Sequence, residues 1–129
     1  MNTARRIYVN NDLDVVMARL QAREMAKQIG FGTADQARIS LAASELARVL
    51  SWDTGQPGEI VMSDTQSNGQ QGIQVTCLIK LEYLPQTDEM PEGSVPSRNL
   101  AGACQLVDES VVEPLDNKQA RVTLMKWLK

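Results

Sequence analysis

Glu45 and Arg48 stand three residues apart in the run Ala42-Ala43-Ser44-Glu45-Leu46-Ala47-Arg48. On a helix that spacing puts a carboxylate and a guanidinium on one face, where by themselves they make an exposed ion pair worth about a few tenths of a kcal/mol. The rest of the chain narrows the chemistry sharply. It holds no histidine, so no imidazole is available for a zinc site and no Ser-His or Cys-His pair can be assembled. Cys77 and Cys104 each sit inside an apolar stretch, where a free thiol behaves as a small buried hydrophobe and no disulfide is expected. Trp52 and Trp127 read as core or edge anchors, although a partly exposed tryptophan also suits a binding surface.

Composition sets the remaining bounds. At 129 residues and 43% hydrophobic content, the chain has the size of one compact domain, and residues 1–129 are read as a single unit. A formal charge of −3 and scattered Lys and Arg residues leave no basic face, which argues against nucleic acid. No apolar run is long enough to span a bilayer and the N-terminus lacks an apolar segment, so a cytoplasmic protein without a membrane partner is expected.

The elements that must position these residues follow from periodicity. Arg6 to Val9 reads as a short strand ending at the turn-prone Asn10-Asn11-Asp12. From Asp12 the pattern is helical. Val15, Ala18, Ala22, Met25, Ala26 and Ile29 form one stripe, and Leu13, Val16, Met17 and Leu20 form a second on the opposite side. Gly30 ends that helix. Thr33 is read as the cap of the next one, with Gln36 reaching back to it, and Ile39, Ala42, Ala43, Leu46 and Leu50 as its buried face. Strands are expected at Glu59 to Met62 and Ile73 to Tyr83, joined by a polar connection from Ser63 to Gly72. In the second of them only Leu78 breaks the alternation. After an irregular stretch from Leu84 to Pro96, a helix from Ser97 to about Asp108 turns Leu100, Ala103, Cys104 and Val107 inward. Strands near Ser110 to Val112 and from Ala120 to Leu128 close the chain. The fold class is α+β: a two-layer sandwich, with about three helices on one face of a mixed, largely antiparallel sheet.

With the elements placed, Ser44-Glu45-Leu46-Ala47-Arg48 resembles the Ser-Glu-Leu-Ala-Arg-Asn segment of bacterial switch kinases. These are small members of the histidine-kinase-like ATPase superfamily that phosphorylate serine on antagonist proteins of the STAS type. Ala26 to Phe31, Asp35-Gln36, Leu106 to Glu109 and Arg121 to Trp127 are similar to the same family, so the resemblance spans nearly the whole chain.

What the resemblance implies for a nucleotide site holds only in part. It makes Glu45 the base that prepares the attacking hydroxyl, and it places a magnesium-binding asparagine four residues later, where this chain has Val49. An aliphatic side chain offers no lone pair to a hard cation. The adenine motif, an aspartate followed by spaced glycines, is replaced by Leu81-Glu82-Tyr83-Leu84-Pro85, in which only Glu82 could imitate the aspartate. The glycine-rich lid is reduced to Gly93 and Gly102, the latter expected in the first turn of its helix, where free N–H groups could accept an anion. Arg48, Val49, Glu82 and Gly102 are thus the remains of a cofactor site. No bound cofactor or metal is expected, and ATP with Mg²⁺ only if the kinase chemistry survives. The resemblance then implies a degenerate switch protein that binds a STAS-type antagonist, a phosphatase or a sigma-type regulator. The stripe Leu13, Val16, Met17 and Leu20 is expected to be at least in part the contact face for such a partner or for a twin subunit, the alternative being that it serves this domain's own packing. The alternative is an active serine kinase acting on a STAS protein.

Overall fold

A computed structural model describes residues 4–51, 58–81 and 95–128, with the backbone alone at 95–99. The elements run β1 (Ala4–Val9), α1 (Asp12–Ile29), α2 (Thr33–Ser51), β2 (Gly58–Ser67), β3 (Gln70–Lys80), α3 (Val95–Gln105), β4 (Glu109–Pro114) and β5 (Gln119–Trp127). The strands form one sheet in the order β1-β2-β3-β5-β4, antiparallel at every pairing. This is the α+β two-layer architecture expected from the periodicities.

Local chemistry accounts for where α1 starts and stops. The Asn11 side chain accepts from the Asp14 N–H at 3.1 Å, while the Asp14 carboxylate accepts from the Asn10 N–H at 2.8 Å, so two backbone donors are satisfied reciprocally. At the other end Gly30 adopts φ 116° and returns its N–H to the Ala26 carbonyl. The start of α2 differs from the sequence expectation. Thr33 is already helical, because the Gly32 carbonyl accepts from the Gln36 N–H at 2.9 Å. The Gln36 side chain does reach back, but its amide donates to the Phe31 carbonyl at 2.8 Å, tying the helix to the preceding turn.

The largest departure lies between β2 and β3. The expected polar connection from Ser63 to Gly72 is mostly strand, and only Asn68 and Gly69 turn the chain, at φ 53° and 76°. Two consecutive positive φ values match the right-handed twist of the flanking strands, and Asn-Gly is the pair that adopts them at least cost. Ser67 then pairs with Gln70, and the register runs on to Ile60 opposite Cys77.

One face of the sheet carries Ile60, Met62, Ile73, Val75, Cys77, Ile79, Ala120, Val122 and Leu124, all buried under the helices. Leu78 points the other way and is exposed, as its break in the alternation suggested. The main α1 stripe and the expected α2 face complete the core, joined by Leu100 and Ala103 from α3. Every residue of β4 is exposed, which suits a short edge strand carrying Glu109 and Glu113. Among the described residues, no helix is long and apolar enough to cross a membrane.

Both cysteines are free, Cys77 buried and Cys104 half-buried. Burial pushes the Cys77 thiol up to about 12, because its thiolate would lose hydration with no compensating charge. With an alkylating reagent at about pH 8, Cys104 is expected to label in the folded protein. Cys77 should label at least about a thousandfold more slowly than an ordinary thiol until the domain is unfolded. Mass spectrometry of the labelled peptides reads this directly, and equal labelling of both without denaturant would contradict the buried placement.

Candidate functional site

Helix α2 carries the residues singled out for chemistry, and its packing decides what each can do. Ile39, Ala42, Ala43, Leu46, Ala47, Val49 and Leu50 are all buried, which turns the helix's broad apolar side to the sheet and to α3. Glu45 lies at the margin of that side, half-buried. Val49, one turn further on, is wholly enclosed at 0% exposure and belongs to the core cluster. The position that the family resemblance gives to an oxygen ligand therefore holds a packed aliphatic side chain.

Arg48 does not pair with Glu45. Among the described residues it has no ion-pair partner, and it instead lines an open pocket of about 360 Å³ together with Asp12, Val15, Val16, Arg19 and Ser51. The pocket lies between the start of α1 and the end of α2. Residues far apart in sequence share it because the connection at Gly30 folds the two helices side by side, bringing the start of α1 to the end of α2.

Gly102 also departs from expectation. Helix α3 begins at Val95, so Gly102 is its eighth residue and lies beyond the first four N–H groups, the ones a helix leaves free. A side chain there would meet open space, so close packing does not require glycine. Glu82, the glycine at 93 and Trp52 lie outside the described residues. Trp127 is an edge anchor: its indole N–H donates to Glu109 at 2.6 Å across the β4–β5 pair.

A second group forms at the junction of α2, the turn after α3, and β5. The Lys126 ammonium, with its side chain 8% exposed, lies 3.6 Å from the Asp35 carboxylate and 3.4 Å from that of Asp108. Asp108 also accepts the Trp127 N–H at 2.8 Å, and Asp35 accepts Arg38 at 2.8 Å. The sequence pattern puts Asp108 at the end of a helix. The helix in fact ends at Gln105, and the following turn aims that carboxylate at β5. Three separate segments that carried the family resemblance, around Asp35, Asp108 and Lys126, thus meet in one charged cluster. Among the described residues no three His, Cys, Asp or Glu side chains come together as a metal cage.

Outward from the core, α1 shows its second stripe to solvent, with Leu13 at 68%, Val16 at 37%, Met17 at 42% and Leu20 at 52% exposure. None of the four belongs to the buried core cluster of the described residues.

The fold, the α2 motif and the Asp35–Asp108–Lys126 junction invite comparison with known proteins. Over 134 aligned positions, the chain is 29% identical to the serine/threonine-protein kinase RsbT of Bacillus subtilis (strain 168). The similarity spans the whole of both chains. It supports the resemblance to the switch kinases and covers every element, including the described parts of the candidate site. No family model matches the sequence.

Proposed function

We propose that this chain is a serine/threonine-kinase-like regulator of a partner-switching pathway, one that works by binding other proteins and no longer transfers phosphate. The observation that carries the reading is Val49. Phosphoryl transfer asks a protein mainly to position the nucleotide and to neutralise its charge, and both depend on the metal. At the place the family resemblance gives to the metal ligand, this chain has a valine sealed in the core. Water cannot reach that side chain to complete a coordination sphere, and Mg²⁺ holds oxygen ligands only. The sequence Leu81-Glu82-Tyr83-Leu84-Pro85, without the glycines of the adenine motif, weakens the other end of the site. A cytoplasmic protein of this kind would bind a STAS-type antagonist, a phosphatase or a sigma-type regulator. The exposed stripe of α1 is the contact face that best suits such a role.

The second reading, an active protein serine kinase, is favoured by the full-length similarity to a named kinase and by the half-buried Glu45 at the base position. Calorimetry with ATP and magnesium on the purified chain separates the two. No heat of binding is expected up to millimolar nucleotide. A micromolar dissociation constant would overturn the binding-protein reading and restore the kinase.

A further inference from the structure

Strand β4 closes the sheet on the side away from β1, and every one of its residues is exposed. Among the described residues no strand lies along its outer edge. The register fixes which of its backbone groups stay unused. Just beyond β4 the Leu115 N–H donates to the Gln119 carbonyl at 2.7 Å, and the same register runs through Glu113 opposite Arg121, Val111 opposite Thr123 and Glu109 opposite Met125. In an antiparallel ladder the backbone groups of successive residues alternate between the two sides of the strand. Glu109, Val111 and Glu113 therefore turn their N–H and C=O groups to β5, whereas Ser110 and Val112 turn theirs outward. Pro114 offers the edge a carbonyl alone.

The side chains along this edge decide what it accepts. Its middle is apolar, with Val111 and Val112 at 44% and 40% exposure, one on each face of the sheet. Its ends are acidic: residues 108–116 hold Asp108, Glu109, Glu113 and Asp116, and no Lys or Arg. Glu109 and Glu113 project from the same face as Val111, about 14 Å apart along the strand at 3.4 Å per residue. Glu109 accepts the Trp127 indole N–H at 2.6 Å, and Glu113 lies 3.7 Å from the Arg121 guanidinium with 52% of its side chain exposed. A carboxylate accepts several donors, so both have room for an incoming cation.

A second copy of β4 does not fit this edge. Opposed residues of an antiparallel pair share one hydrogen-bonding direction, so a two-fold axis must fall on a single residue. An axis at Val111 sets Glu109 against Glu113 at both ends, and like charges directly opposite are destabilising. An axis at Val112 sets Ser110 against Pro114, which has no N–H to give, and Val111 against Glu113. An axis nearer either end leaves fewer residues paired.

We propose that the free edge of β4 binds an extended segment of a partner protein by strand addition, and that this segment is cationic. It carries Lys or Arg opposite Glu109 and Glu113, with β-branched residues opposite Val111 and Val112 between them. Helix α1 packs over β1, β2 and β3, so this edge lies across the domain from the exposed α1 stripe and the two surfaces do not overlap. The proposal holds whether or not the chain transfers phosphate.

The probe is a synthetic peptide with the core Lys-Val-Val-Thr-Lys, titrated into the full chain and followed by NMR and amide exchange. In the free protein the Ser110 and Val112 amides are expected to exchange at least about tenfold faster than those of Val111 and Glu113, and saturating peptide should slow the first pair at least about tenfold. Replacing both peptide lysines with Glu, or methylating the peptide nitrogens that face Ser110 and Val112, should each weaken binding at least about tenfold. Glu113→Lys should weaken the Lys peptide about fivefold and strengthen the Glu peptide by a similar factor. Val112→Pro removes only an outward N–H, which an edge strand tolerates, so it should weaken binding while the domain stays folded. Unfolding of that variant would place the Val112 N–H in the β4–β5 ladder and overturn the edge assignment. No binding at millimolar peptide, equal binding of the methylated or Glu peptide, or unprotected Ser110 and Val112 amides in the complex would each overturn the proposal. Protection of those two amides in the free chain that grows with protein concentration would mean that the edge pairs with its own copy, and would remove the cationic partner.

Discussion

Replacing Lys126 with alanine is expected to lower the stability of the domain by about 2–3 kcal/mol and its melting temperature by about 10 °C. The ammonium is nearly enclosed and faces two carboxylates, Asp35 at 3.6 Å and Asp108 at 3.4 Å. Taking away one member of a buried charge cluster leaves the others desolvated without their counter-charge, which costs about 3–5 kcal/mol where all members are fully buried. Asp35 and Asp108 retain side-chain exposures of 31% and 22%, so water recovers part of that cost and brings it to or just below the lower end of that range. Asp108 also keeps the Trp127 N–H, and Asp35 keeps Arg38. The effect should therefore be partly relieved by a second change, Asp35→Asn, which removes a stranded charge. A double-mutant cycle on chemical unfolding reads the coupling. A loss below about 0.5 kcal/mol for Lys126→Ala would mean that the cluster is no more than an ordinary surface network.

That cluster illustrates what the sequence discloses and what it withholds. Helices α1 and α2 were legible because their apolar stripes run for several turns and end at Gly30 and just before a sequence stretch holding Gly55, Pro57 and Gly58. The inward face of β3 was legible because Ile73, Val75, Cys77 and Ile79 alternate. The β2–β3 hairpin was missed in a polar stretch. Ser63 to Gly72 holds no hydrophobic alternation, and the informative pair was Asn68-Gly69, whose preference for two positive φ values carries the signal that hydropathy does not. The α3 boundary slipped for a similar reason. A Ser97 cap reads well locally, but the helix opens at Val95 and closes at Gln105. That shift removes Gly102 from the helix terminus and frees Asp108 to face β5. No local pattern could bring Asp35, Asp108 and Lys126 together, since sheet order and loop path decide their meeting. Glu45 and Arg48 were correctly placed on one helix, but their pairing was not. Arg48 instead lines a pocket formed with the start of α1, which the helical hairpin brings alongside the end of α2 and which no i,i+3 rule describes.

The last expectation follows from the enclosure of Val49. Val49→Asn restores the residue type that the family resemblance assigns to magnesium, yet it is expected to yield no measurable phosphate transfer to a STAS-type substrate and no calorimetric signal with ATP. It should also destabilise the fold by about 2–4 kcal/mol. Val49 has no exposed surface, and the core cluster to which it belongs, with Leu46 and Leu50 of the same helix, is built of hydrophobic residues. An amide placed there brings two donors and an acceptor into a setting that offers them no polar substitute for water, at about 1–3 kcal/mol for each hydrogen bond left unmade. Even a well-turned oxygen would supply one metal ligand without the glycines that let backbone approach the nucleotide. Two measurements on the same variant decide the matter. A melting temperature equal to that of the unaltered chain would mean that position 49 opens to water. Phosphate transfer by the single variant would mean that Glu45 already stands in working order and that one missing oxygen had silenced the site.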